Sequence, residues 1–176
     1  MMHIALAILL AAVVLAGLAR IFTARTGPAR VDGVAVTVAA LAPAAALWQW
    51  IGGVAPAAAL GCVGLWFLWR VAAPAGKATP VPGGGRGTAA YRLLFSAAAL
   101  WITLALQSVH EHGTGELLGN ILLHTMAGVT LIFAAAAWLL GTFAMPEGSG
   151  EKIRPILGTQ EAVAAIAVAL CFFTLV

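Results

Sequence analysis

The residues best equipped for chemistry lie in one stretch, His110-Glu111-His112-Gly113-Thr114-Gly115-Glu116, continuing through Leu117-Leu118-Gly119-Asn120 to His124. It holds three of the chain's four histidines and two of its six acids, set between apolar runs. Imidazole is the commonest metal ligand near neutral pH, and two or three His with a carboxylate suit Zn²⁺ or Cu²⁺. His110, His112, Glu116 and His124 are therefore the candidate metal ligands, with copper or zinc as the cofactor they would take. Such a metal would be lost as pH falls through about 6.5, because protonated imidazole cannot ligate. His-Glu-His-Gly is not His-Glu-x-x-His, so the spacing does not point to a zinc peptidase. An ordinary solvated loop explains the same residues, and both readings stand.

Glu116, Asn120 and His124 are spaced i, i+4, i+8, which puts them on one face of a helix. With that helix entering hydrocarbon near Leu117, His124 lies roughly 10 Å down at the helical rise. Polar groups at such depth point into a bundle and are functional candidates. The competing reading is that His124 bonds a neighbouring helix and fixes packing. His3 adds a second candidate, since an amino terminus with His at position three can wrap Cu²⁺ or Ni²⁺ in square-planar fashion. Equally, His3 marks the water boundary.

The elements that must position these residues are membrane helices. The 176 residues are 62% apolar and only 9% charged, with mean hydropathy +1.03, whereas soluble domains carry about 25% charged residues. A soluble core could not hide this much apolar surface, so the expected fold class is an all-α integral membrane protein. The net charge of +3 falls between helices, which favours the lipid bilayer as a partner and excludes nucleic acid. Cys62 and Cys171 are isolated in apolar runs and give neither metal spacing nor a disulfide framework.

Apolar runs predict six transmembrane helices in a single domain, at about 3–22, 34–51, 54–71, 89–107, 116–142 and 157–176. Met1-Met2-His3 carries no basic residue and Arg20 follows the first run, so both termini are expected outside. A Pro/Gly linker at 73–88 falls on the cytoplasmic side. Trp48-Gln49-Trp50 and Trp66-Phe67-Leu68-Trp69 read as interfacial aromatic anchors. All nine Lys and Arg then lie at the cytoplasmic face, and all four histidines are outside or entered from there. Glu161 is expected at headgroup level within reach of Lys152 or Arg154. Gln49, Thr103, Gln107 and Ser108 gather at the outer ends of the second and fourth helices, as a roof or as helix ends.

Other classes lack their parts. Near mid-membrane the sequence places no acid or base for an ion pathway. It has no Gly-rich phosphate loop and no Gly-x-Ser-x-Gly nucleophile, so an enzyme is not the expectation.

Three stretches carry a family likeness: Arg30-Val31-Asp32 opening the second helix, Leu65-Trp66-Phe67-Leu68 closing the third, and Ala89-Ala90-Tyr91 leading toward Trp101. Over roughly the first 110 residues the chain resembles small actinobacterial multi-pass membrane proteins rich in His and Met, a family with no established activity. The resemblance implies a multi-pass protein of a bacterial plasma membrane. In that family His and Met stud the second and fourth helices, where this chain has Gly33, Val, Ala and Leu.

Two functions are expected. One is a non-catalytic accessory or structural subunit of a larger bacterial membrane complex, with the small residues Ala57, Gly61 and Gly64 as the face that packs on a partner subunit. The alternative is a metal-binding membrane protein using the outer His cluster.

Overall fold

A computed structural model of the chain describes residues 2–24, 26–50, 54–73, 85–108, 117–144 and 155–173. The described residues form six α-helices and no strand: α1 Met2–Thr23, α2 Gly27–Leu47, α3 Ala55–Ala72, α4 Arg86–Ser108, α5 Leu117–Ala144 and α6 Pro155–Phe173. The first five are long and apolar enough to cross a membrane, while the apolar stretch of α6 among the described residues, Gly158–Phe173, is shorter.

Five of the six helices lie within about three residues of the expected bounds at each end. The second does not. It starts at Gly27 rather than near Val34, because Pro28 suits the first turn of a helix and Thr26 supplies an extended residue before it (φ −122°, ψ 147°). Arg30 and Asp32 therefore belong to the helix and not to its approach. It ends at Leu47, short of Ile51. Trp48 N–H donates to Ala44 O and Trp50 N–H to Ala45 O, both about 3 Å, and Gln49 takes a left-handed φ of 53° between them. For a non-glycine residue that conformation costs about 1–2 kcal/mol. It brings the Trp48 and Trp50 rings into a stack with centroids 5.0 Å apart.

α4 starts three residues early, so Arg86 leaves the predicted linker for the helix. Its guanidinium donates to Ala73 O at the end of α3 (3.0 Å). Arg30 does the same for Ala24 O after α1 (3.1 Å). In each case a cation caps the carbonyl end of the preceding helix, where the helix dipole favours positive charge.

α2 is the central helix and touches α1, α3, α4 and α6. Its buried face is mostly alanine, and α6 buries Ala162, Ala164, Ala165, Ala167 and Ala169. Small side chains let backbones approach, which is how helices hold together where lipid removes the hydrophobic drive. Two glycines need that closeness. A Cβ on Gly17 would stand 2.1 Å from Thr37 Oγ1, and one on Gly158 would stand 2.8 Å from Thr142 Oγ1. Around this frame Leu6, Val13, Leu60, Phe67, Ile102 and Phe172 fill the core. Ile4, Ile8, Leu15, Phe22, Phe133 and Leu140 point outward and are each more than 60% exposed. Water would not tolerate such a surface, and acyl chains solvate it.

Candidate functional site

Charge concentrates at one end of the bundle. Adjacent helices joined end to end bring the last turns of α1 and α3 beside the first turns of α2, α4 and α6. Each contributes one ionic side chain: Arg20, Asp32, Arg70, Arg92 and Glu161, all with side chains less than a tenth exposed. In an apolar surrounding a lone ion costs several kcal/mol, and a buried ion persists only with a partner and filled hydrogen bonds.

Arg92 is the hub. Its Nη1 donates to Asp32 Oδ2 at 2.7 Å, while Nε (2.9 Å) and Nη2 both donate to Glu161 Oε1. The planar guanidinium fork makes this bridge, which a lysine ammonium could not reproduce. Its carbon also lies 5.9 Å from the centre of the Phe67 ring. Asp32 Oδ1 accepts from Trp66 Nε1 at 2.9 Å, with Arg70 Nη1 further off at 3.4 Å. Glu161 Oε1 also accepts from Arg20 Nη1 at 3.1 Å. The Arg20 stem reaches there across Gly33, whose missing side chain would sit 3.4 Å from Arg20 Cγ and Cδ. Five helices are thus tied through two carboxylates.

Glu161 is bound by Arg20 and Arg92, nearly two turns into α6, while the expected partners Lys152 and Arg154 lie outside the described residues. Arg70 and Arg92 were expected at the cytoplasmic face individually, and their convergence on Asp32 was not foreseen. The available signal was register: each lies within two turns of the end its helix has on this side of the bundle.

Among the described residues, Tyr91 OH, Trp138 Nε1, Gln160 Nε2 and Glu161 Oε2 are buried with no hydrogen-bond partner. The Tyr91 and Trp138 rings stack across α4 and α5, centroids 4.7 Å apart and nearly parallel at 7°.

His124 lies toward the opposite end, half-buried among aromatic rings. Its centroid is 6.3 Å from Trp101 and 6.1 Å from Phe172, and those two rings meet edge-on at 6.3 Å. Of its expected companions, His110, His112 and Glu116 lie outside the described residues, as do the side chains of Asn120, Gln107, Ser108 and His3. Among the described residues no three His, Cys, Asp or Glu stand together in a way that would hold a metal ion. Thr103 donates to Ala99 O in its own helix (2.7 Å). On α3, a Cβ at Gly64 would sit 3.9 Å from Ser96 Oγ of α4, whereas one at Gly61 meets nothing within 4 Å. The expected ridge is therefore covered at one point and open at another. Compared with known protein families, with curated proteins and with solved structures, the chain matches none.

Proposed function

We propose that the chain crosses a bacterial plasma membrane six times, with both termini outside, and acts as a non-catalytic accessory or structural subunit of a larger membrane protein complex. The topology is supported by the common end shared by the ionic residues of five helices, which the positive-inside rule assigns to the cytoplasm. The subunit role is carried by the open small-residue surface at Gly61, where another helix backbone can approach without displacing anything. The ionic groups support the same role, because they bind one another across the bundle.

The test is purification from native membranes in mild detergent, without crosslinker, followed by mass spectrometry of co-purifying proteins. A defined partner is expected, and Gly61→Leu is expected to release it while leaving membrane insertion unchanged, Leu being no less apolar. A wild-type chain that runs as a stable monomer and crosslinks to nothing in native membranes would overturn the reading.

A further inference from the structure

We propose that α6 crosses the membrane conditionally: it enters because arginines of α1 and α4, made earlier in the chain, receive Glu161. This dependence presupposes the six-crossing topology proposed above and adds an order of assembly to it.

α6 is poorly built to cross alone. Its apolar stretch among the described residues, Gly158–Phe173, is shorter than the spans of the other five helices and below the roughly 20 residues that a crossing needs. Glu161 lies inside that stretch, so the helix cannot recover length without carrying the acid into hydrocarbon. A lone carboxylate is costly there, and pairing with arginine offsets that cost. Composition adds to the difficulty. The buried side of α6 is largely alanine, at 162, 164, 165, 167 and 169, which attracts acyl chains weakly and lets other backbones approach.

Its surroundings match. α6 touches α1, α2, α4 and α5, and from Gly158 onward only Thr159 and Ile166 are exposed. α1 is the opposite case, 22% buried across its span with a hydropathy of 2.6, so lipid alone can hold it. Glu161 Oε1 accepts from Arg20 Nη1 at 3.1 Å, from Arg92 Nε at 2.9 Å and from Arg92 Nη2. Synthesis runs from the N-terminus, so both arginines are in place before Glu161 is made. Gly158 against Thr142 and Gly128 against Phe172 then seat α6 on α5. α2 also carries an acid, Asp32, ahead of its partners Arg70 and Arg92, but α2 is long and apolar enough to cross with it. The dependence is therefore particular to α6.

The experiment translates the full chain, with a peptide tag fused after Val176, into inverted bacterial inner-membrane vesicles, and adds protease outside them. A tag carried across is protected, and a tag left on the cytoplasmic side is cleaved. Protection is expected for the wild-type chain. With Arg20→Met and Arg92→Met together, the ratio of protected to cleaved tag should fall about tenfold or more, the scale set by one uncompensated charge in a span. Either substitution alone leaves Glu161 one arginine and should do less. Adding Glu161→Leu to the double variant should restore protection, since it removes the charge and extends the apolar run. Wild-type protection in the double variant overturns the proposal and leaves the six-crossing topology standing. Loss of protection that Glu161→Leu does not restore also overturns it, because the damage would then be general. Cleavage of the wild-type tag overturns the topology itself, and the conditional crossing with it.

Discussion

Removing Arg92 would strand Asp32 and Glu161 at the same time, because its three donors join both. Arg92→Met fills most of the space with an apolar chain, so what is lost is the bridge. Breaking a buried pair from one side costs about 3–5 kcal/mol, and that loss is expected in reversible unfolding in mixed micelles. Trp66→Phe is a finer cut. It keeps an aromatic ring against Trp69, now 5.3 Å away, and deletes only the N–H donated to Asp32. Hydrogen bonds to charged groups are worth about 1.5–3 kcal/mol, so this variant should fall between wild type and Arg92→Met. Equal stability of Trp66→Phe and wild type would show that Asp32 is satisfied without the indole. None of these pairings was legible in the sequence. Asp32 and Arg70 are 38 positions apart, and Arg92 and Glu161 are 69 apart. Hydropathy reports that a charge ends an apolar run, but it is silent on which other run ends beside it.

At the scale of elements, packing of α1 on α2 depends on Gly17. Gly17→Ala would drive a methyl into Thr37, whose hydroxyl is held by Gly33 O at 2.8 Å. Overpacking of this kind costs about 1–3 kcal/mol. Thr37→Ala removes the atom in the way, so the double variant should recover most of the loss, which a double-mutant cycle measures. Gly61→Ala is the contrast: with nothing near the added methyl, it should be neutral or gain up to about 1 kcal/mol in the isolated chain through helix propensity. The helices themselves were legible because each is an uninterrupted apolar run bounded by Gly, Pro and charge. α2 was misjudged at its start because its apolar run begins only at about 34, when Pro28 already opens the helix and Asp32 is consumed inside the bundle. The Gly17 contact escaped notice because nothing in a single sequence tells a glycine that faces lipid from one that faces a threonine.

For the whole molecule, the shared end of the ionic residues sets the alternation of the helices, and the distribution of Lys and Arg carries the proposed orientation. The first is packing: Arg20 and Arg70 close α1 and α3, while Asp32, Arg92 and Glu161 open α2, α4 and α6, so the chain alternates direction at each helix. The second is insertion energetics, which retain basic loops on the cytoplasmic side. Together they predict labelling in a background where Cys62 and Cys171 are replaced by Ala. A cysteine at Gly84 should react with a membrane-impermeant maleimide only after cells are opened, and one at Gly113 should react in intact cells. The pair is needed because a single unreactive position would also result from burial. Reversed labelling would invert the bundle, moving the histidine stretch to the cytoplasm and the ion-pair network to the outer leaflet. Labelling of both sites in intact cells would instead remove one crossing between them, and α4 is the only helix that lies there. That outcome would contradict the alternation that brings Arg92 to Asp32 and Glu161.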